Sequence, residues 1–156
     1  MESIVQAMAD QIKAAANDAA LRPLRIRGGG SKDFYGAPLK GLVLDTGRLN
    51  AVVAYEPTEL VITVGAGVRL RDLEALLAEK NQCLPCAPPH FGPDATIGGA
   101  VAAALSGPAR ASVGAMKDFV LGIKLLNAAG EVLTFGGEVM KNVAGYDISR
   151  LMVGSL

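Results

Sequence analysis

The fold is decided by one short stretch, Leu60-Val61-Ile62-Thr63-Val64-Gly65-Ala66-Gly67. Its β-branched residues predict a strand, and its two glycines end that strand in a turn. The leucines that follow recur at helical spacing up to about Lys80, which predicts an amphipathic helix. A dinucleotide-binding fingerprint would need a third glycine at the position of Leu70. We therefore interpret Gly65–Gly67 as a strand-to-helix turn and not as a Rossmann loop.

Strand and helix patterns alternate on both sides of this unit. That order is typical of an α+β or mixed α/β fold and excludes a helical bundle or a β-sandwich. We expect a leading helix from Ser3 to about Ala20, strands over Leu24–Arg27 and Asn50–Tyr55, a buried strand over Leu42–Leu44, a small-residue helix over Thr96–Leu105, a hairpin of Phe119–Leu126 with Glu131–Phe135, and a short helix over Asp147–Val153 that Asp147 caps.

Charge and composition narrow the class of protein. The 156 residues carry 15 lysines and arginines against 15 aspartates and glutamates, which argues against sequence-independent nucleic-acid binding. Hydrophobic residues make up 51% of the chain, enough for one domain over residues 1–156. No apolar run approaches the roughly 18 residues that span a bilayer, so we expect no transmembrane segment. Two cysteines and no visible secretory leader favour a reducing cytoplasm.

The first candidate for a ligand site is Arg27-Gly28-Gly29-Gly30-Ser31-Lys32, which follows a predicted strand. Three consecutive glycines can point successive N–H groups into one concavity, and that geometry binds phosphates. Ser31 adds a hydroxyl and Lys32 adds a cation. A flexible turn would use the same residues. The Gly-Ser-Lys order differs from the Gly-Lys-Ser/Thr ending of a Walker A loop, which excludes that loop.

The second candidate is the proline-rich segment Pro88–Pro93, which leads into the small-residue segment Thr96–Gly107 with its Gly98-Gly99 pair. A threonine before a Gly-Gly helix start would present free N–H groups and a hydroxyl at the positive end of a helix dipole. The alternative is an alanine-rich core helix. Two phosphate-type loops in one domain indicate a long ligand that has a diphosphate and an extended body.

The third candidate is the C-x-x-C pair Cys83 and Cys86, with His90 four residues later. A thioredoxin-like motif would need the second cysteine inside a helix, but prolines follow it. A zinc site made of these three residues would lack one ligand. We therefore favour two small apolar residues in a proline-rich connection, and we predict no metal site. His90 is interpreted as a hydrogen-bonded structural residue, with a catalytic role as the alternative.

Taken in order, these motifs resemble the FAD-binding domain of the vanillyl-alcohol-oxidase (PCMH-type) flavoprotein family. The resemblance covers nearly the whole chain after the first helix. It rests on Arg27–Lys32, Tyr55–Gly67, Thr96–Gly99, Asp118–Gly122 and Lys141–Asp147. Three stretches are similar to the glycolate oxidase branch of that family, namely Pro57–Thr63, Leu84–His90 and Phe135–Asp147.

The resemblance implies a cofactor and its binding residues. FAD would lie between two small α/β subdomains, one with a partly parallel sheet and one mostly antiparallel. The implied FAD-binding residues are Gly28, Gly29, Gly30, Ser31, Lys32, Pro88, Thr96, Gly98, Gly99, Ala102, Ser106, Gly107, Gly114, Asp118 and Val120. Covalent members carry histidine where Ser31 stands or a cysteine after Gly107, so we expect non-covalent FAD. No catalytic residue is implied.

The resemblance also implies an activity and partners. A small 2-hydroxy acid such as glycolate would give a hydride to the flavin, and electrons would pass to an iron–sulfur subunit. A sister flavoprotein subunit would complete a glycolate oxidase-like complex. The implied location is the cytoplasm, with attachment to the periphery of the inner membrane through partner subunits as an option.

Two further expectations concern the extent and role of the chain. Family members continue past Val153-Gly154-Ser155 into another FAD segment and a cap domain. We therefore expect the N-terminal part of a longer parent, without the cap domain and inactive on its own. A non-catalytic flavin-binding or assembly module is the alternative role. A nicotinamide-dependent Rossmann enzyme is disfavoured by the absent third glycine.

Overall fold

The computed structural model describes residues 1–18, 23–38, 40–137 and 146–155. The described helices and strands follow one another largely in the order that the sequence predicts. The described helices are α1 (Glu2–Asn17), α2 (Leu70–Ala78), α3 (Ile97–Ala103), α4 (Arg110–Val113) and α5 (Ile148–Leu151). The described strands are β1 (Leu24–Arg27), β2 (Leu42–Asp45), β3 (Val52–Glu56), β4 (Val61–Val64), β5 (Gly122–Leu126) and β6 (Val132–Gly136). Short 3-10 turns cover Thr46–Arg48 and Met116–Asp118.

The strands pair two by two. β1 and β2 are parallel, with Leu24 opposite Leu42. β3 with β4 and β5 with β6 are antiparallel, and Gly122 stands opposite Gly136 in the second of these pairs. Within the described ranges these pairs form three separate two-stranded sheets. The combination of a parallel pair, antiparallel pairs and helices confirms the predicted mixed α/β class.

Some predicted elements differ from the structure. The strand expected over Phe119–Leu126 begins only at Gly122, because the chain first makes the 3-10 turn Met116–Asp118. The single helical turn α4 has no periodic signal in the sequence. Two predictions lie partly outside the described residues: the end of the leading helix at 19–20, and the motif residues 138–145.

The prediction that β2 is buried is wrong. Leu44 is 5% exposed, but Leu42 and Val43 remain nearly half exposed. Their apolar character predicts a strand correctly, since β-branched and aliphatic residues suit extended backbone, but it does not fix what covers each face. The short helix α5 is confirmed, and the side chain of Asp147 accepts a hydrogen bond from the Arg150 N–H as its cap.

The core is formed by two small clusters of buried side chains around α2 and α3. Leu70 of α2 is completely buried, and it belongs to the cluster that also contains Ala100 of α3 and Met116. The second cluster joins Leu73 and other residues of α2 to side chains of β3 and β4. Burying such apolar surface holds both helices against the strand pair.

The turn between β4 and α2 packs against its neighbours through backbone atoms. The Gly67 N–H donates to the Leu49 carbonyl at 2.9 Å, and the Gly98 N–H donates to the Ala66 carbonyl at 2.9 Å. A Cβ atom on Gly67 would lie 2.5 Å from the carbonyl oxygen of Gly47, which leaves no space for a side chain. The predicted strand-to-helix turn is thus confirmed, and its second glycine is required by this close approach.

A search of the described helices finds none whose length and apolar character would let it cross a membrane.

We expect the substitution Gly67→Ala to destabilise the fold by about 2 kcal/mol, because the new methyl group would press on fixed backbone carbonyls. The measurement is urea unfolding followed by circular dichroism. Gly137→Ala is the control, since a Cβ there meets no described atom within 4 Å. The control should stay within about 0.5 kcal/mol of the unchanged chain. Equal stability of the two variants would contradict this account of the turn.

Candidate functional site

The two candidate glycine loops meet in the structure. A Cβ atom on Gly29 would collide with the carbonyl oxygen of Asp94, and one on Gly28 would lie 2.7 Å from the Thr96 hydroxyl oxygen. The loop after β1 therefore rests directly on the segment that leads into α3. Only residues without a side chain allow such an approach. The sequence predicted the two loops separately, and the structure joins them.

A cavity of about 380 Å³ opens where the loops meet. A neighbouring hollow of about 340 Å³ shares Gly47, Asn50, Gly67 and Arg69 with it. The residues that line the larger cavity are Gly28, Gly29, Asp45, Gly47, Arg48, Asn50, Gly67, Arg69, Asp94 and Thr96. Three of the predicted site residues, Gly28, Gly29 and Thr96, belong to this set.

The polar residues of this cavity are not predicted from the sequence. Arg48, Asn50 and Arg69 line it together with the carboxylates of Asp45 and Asp94. Asp45 caps the 3-10 turn after β2, where its Oδ1 accepts from the Gly47 N–H at 2.9 Å. None of these residues stands in a recognisable motif, so only the packing of the loops could have revealed them.

The glycine loop keeps donors available for a ligand. Among the described residues, the N–H groups of Gly29 and Gly30 donate no hydrogen bond within the chain. Gly30 has a φ of 69°, and its carbonyl accepts from the Asp33 N–H, so the loop is a formed turn. Gly29 lines the polar cavity and Gly30 follows it in the chain, and two unbonded N–H groups are donors that a phosphate could use. That the loop binds an anion stays a prediction.

The start of α3 does not offer free N–H groups, so that expectation is wrong. The Thr96 hydroxyl oxygen accepts from the Gly99 N–H at 3.2 Å, as a helix cap does. The N–H groups of Ile97 and Gly98 donate to carbonyls of the turn between β4 and α2, each at 2.9 Å. These donors are satisfied inside the chain, and a Gly98 side chain would clash with Ala66. Their predicted contact with FAD stays a prediction.

An ion-pair cluster closes the glycine loop. The Arg25 guanidinium lies 2.7 Å from Oδ2 of Asp33, and Nε of Arg27 lies 2.9 Å from the same oxygen. Hydrogen bonds from Arg25 and then from Arg27 hold the pKa of the Asp33 carboxyl below its usual value. Residues 27–33 are thus tied end to end, which restricts the loop between them.

Ser31 and Lys32 follow the three glycines in the chain, and the Lys32 side chain lies over an aromatic ring. The Lys32 Nζ lies 5.8 Å from the centre of the Phe91 ring, and Phe91 in turn packs edge-on against Phe34. Partial burial lowers the pKa of Lys32. Neither Ser31 nor Lys32 is among the described residues that line the cavity.

Ser106 and Gly107 lie against the proline-rich segment at Ala87. The Ser106 carbonyl accepts from the Ala87 N–H, which precedes the buried Pro88. The Ser106 hydroxyl accepts from the Met116 N–H at 2.9 Å and donates to the Ala104 carbonyl at 3.2 Å. Its hydrogen bonds are therefore made within the chain. Ala102, Gly107, Gly114, Asp118 and Val120 lie outside the cavity lining of the described part, and their predicted roles are not tested.

The C-x-x-C pair is split by the fold. Cys86 is buried against Met116, with its sulfur 3.8 Å from the methionine sulfur, whereas Cys83 is exposed. Burial raises the pKa of the Cys86 thiol, as expected for an apolar role. His90 is 3.0 Å from a carboxylate oxygen of Glu74 on α2, in line with its interpretation as a structural residue. Within the described ranges, no cluster of three metal-ligating side chains occurs.

The sequence model of a family described as "FAD binding domain" matches residues 5–136. The chain belongs to this FAD-binding domain family. The match confirms the family predicted from the sequence and its cofactor, FAD. Alkyldihydroxyacetonephosphate synthase has a similar structure, with a TM-score of 0.73 at 21% identity, covering 96% of this chain and 29% of that protein. That similarity confirms the predicted FAD-domain fold.

Curated relatives are similar over most of this chain. Glycolate oxidase subunit GlcE of Escherichia coli is 52% identical over 96% of the chain, which spans 42% of that subunit. D-lactate dehydrogenase of Archaeoglobus fulgidus is 32% identical over 90% of the chain and 31% of its own length. Glycolate oxidase subunit GlcD of Bacillus subtilis is 33% identical over 74% of the chain and 24% of its own length.

The Asp33 cluster gives a pH-dependent prediction. We expect nuclear magnetic resonance titration to find the pKa of Asp33 below its usual value, and Arg25→Gln to raise it, because the strongest donor to the carboxylate is lost. Since the folded-state pKa is depressed, the pair stabilises the fold above the unfolded pKa of Asp33. That contribution is lost as the pH falls through the folded pKa.

Arg150→Gln is the matched control, because Arg150 pairs with Asp147 and not with Asp33. An Asp33 pKa that ignores Arg25→Gln, or that responds equally to the control, would contradict the geometry of the cluster.

Proposed function

We propose that this chain is the FAD-binding part of a flavin-dependent 2-hydroxy acid oxidoreductase, within a glycolate oxidase-like complex. The proposal is supported by the N–H groups of Gly29, which lines a polar cavity, and of Gly30, which follows it in the chain; in the described part neither N–H donates a hydrogen bond. An acidic diphosphate needs such donors, and the family of the chain binds FAD. The 52% sequence identity to a glycolate oxidase subunit favours the glycolate oxidase branch over other FAD proteins.

The residues present fit the diphosphate of FAD. The glycine cradle leaves room that a Cβ atom would fill, and Arg48 and Arg69 supply positive charge on the cavity wall. We propose that Gly28, Gly29 and Gly30 hold the diphosphate through their backbone. Pro88, Thr96, Gly98, Gly99, Ala102, Ser106, Gly107, Gly114, Asp118 and Val120 stay proposed neighbours of the ribityl chain and flavin. Ser31 at the position of a covalent histidine favours non-covalent binding.

Bound FAD would supply the acceptor for a hydride from the α-carbon of a 2-hydroxy acid such as glycolate. The proposed role of this chain in that reaction is to hold FAD in position. The tied turn of residues 27–33 keeps the glycine donors in position before the ligand arrives, which reduces the entropy lost on binding.

We also propose partners and a location from the similarity to glycolate oxidase subunits. GlcE and GlcD are both named as glycolate oxidase subunits, which supports a complex of several subunits. The proposed partners are a sister flavoprotein and an iron–sulfur subunit that receives the electrons. The proposed location is cytoplasmic, with attachment to the inner membrane through those subunits. Residues 1–156 would form the FAD-binding domain of the parent protein.

A second candidate is a flavin-binding or assembly module that takes no part in the chemistry. It is favoured by His90, which is held by Glu74 and does not line the cavity. It is also favoured by apolar side chains that are exposed to solvent, such as Ile26, which is 72% exposed. In this role, bound FAD would serve as a structural group or an electron relay.

The experiment is an absorbance spectrum of the purified chain after soaking with FAD and desalting. We expect the two visible flavin bands to remain after desalting and to leave with the supernatant on acid precipitation. A chain that keeps no flavin would contradict the proposal that it binds FAD unaided. Flavin that stays with the acid-precipitated protein would contradict non-covalent binding.

Oxidation of the proposed substrate is tested with the complex that contains the full-length parent protein. Bleaching of the flavin bands on addition of glycolate would support the oxidoreductase. Intact bands in this subunit, with bleaching in a partner flavoprotein, would favour the assembly module.

A further inference from the structure

Arg69 and Asp94 form an ion pair on the wall of the cavity. The guanidinium of Arg69 lies 3.0 Å from Oδ1 of Asp94, and both residues line the space beside Gly29. Their side chains are 46% and 54% exposed. An ion pair that is this exposed to water contributes little to the stability of the fold. Replacing Asp94 by another anion beside Arg69 would therefore change the free energy of unfolding little.

The backbone around the pair is fixed. The Leu70 N–H donates to the Ala95 carbonyl at 2.8 Å, and the Ile97 N–H donates to the Val68 carbonyl at 2.9 Å. These two bonds hold the segment before α2 beside the segment before α3. Arg69 and Asp94 therefore project from a rigid frame, and a change of partner requires movement of side chains only.

The charge of Asp94 opposes the ligand that this cavity would take. The Asp94 carbonyl touches the glycine loop at Gly29, Asp94 lines the cavity, and its carboxylate pairs with Arg69, which lines the same cavity. Arg25 and Arg27 are already engaged by Asp33, and Lys32 packs on Phe91. A diphosphate bound at the glycine N–H groups would be repelled by the Asp94 carboxylate and attracted by the Arg69 guanidinium. Both effects act together because the two charged groups are only 3.0 Å apart.

We propose that Asp94 is the resident counter-ion of Arg69 and that the diphosphate of FAD replaces it on binding. Arg69 then holds the ligand, and Asp94 sets the affinity by competing for the same guanidinium. This inference rests on the proposed function and deepens it, because it assigns a specificity role to two residues outside the glycine loop. The site would select ligands that carry a diphosphate, since only such a ligand would replace the interaction that Arg69 loses when the ion pair breaks.

The test is a titration of the chain with FAD, followed by flavin fluorescence, and with ADP and adenosine, followed by calorimetry. We expect Asp94→Asn to bind FAD and ADP about fivefold more tightly at low salt, and Arg69→Gln to bind them about fivefold more weakly. Arg69→Gln should cost more affinity in the Asp94→Asn background than in the unchanged chain, because there the guanidinium has no competing carboxylate. High salt should shrink each of these differences.

Two controls separate the charge exchange from damage to the fold. Arg71→Gln removes a cation that lies two residues after Arg69 and does not line the cavity, and it should leave the affinities unchanged. Adenosine lacks the diphosphate, so its affinity should be the same for all variants. A change in adenosine affinity that matches the change for ADP would overturn the proposal, since a structural disturbance would then explain both.

The outcomes also distinguish this inference from the proposed function. Unchanged or weaker binding of FAD and ADP by Asp94→Asn, with normal binding by the unchanged chain, overturns the counter-ion exchange alone. If neither the unchanged chain nor Asp94→Asn binds FAD or ADP, both the exchange and unaided FAD binding are overturned. Tighter binding by Asp94→Asn with a salt-sensitive effect supports both.

Discussion

The structure depends on the packing of backbone against backbone at one point. Segments around Gly28–Gly29, Thr46–Leu49, Gly65–Arg69 and Asp94–Gly98 approach so closely that a side chain at several of the glycines would strike a carbonyl oxygen. Hydrogen bonds between the segments satisfy the buried N–H groups that this packing creates. The cavity, its charged wall and the glycine donors all follow from that constraint.

This arrangement divides the glycines into two kinds. Gly67 and Gly98 serve the frame, because their N–H groups and their missing side chains are used against neighbouring backbone. Gly29 has both properties, since it rests on Asp94 while its own N–H donates no hydrogen bond in the described part of the chain. A diphosphate site needs both properties: a rigid support, and donors that nothing else in the chain has taken.

Much of this could be predicted from sequence, for local reasons. β-branched runs and helical spacing give the order of strands and helices, and the glycine loop is a continuous motif. The start of α3 was misjudged because the partners of its N–H groups come from a turn about thirty residues earlier. Arg48, Asn50, Arg69 and Asp94 could not be predicted as cavity residues, because only tertiary packing brings them beside the glycine loop. The exposure of Leu42 likewise depends on neighbours that periodicity does not reveal.

The central claim is that the open donors of the glycine loop hold the diphosphate of FAD. The most direct measurement is the amide nuclear magnetic resonance spectrum of the chain with and without FAD. The account predicts that the resonances of Gly29 and Gly30 move strongly on binding, whereas the internally bonded Gly98 amide stays protected from solvent exchange in both states. Binding of FAD that leaves the Gly29 and Gly30 resonances in place would contradict the account.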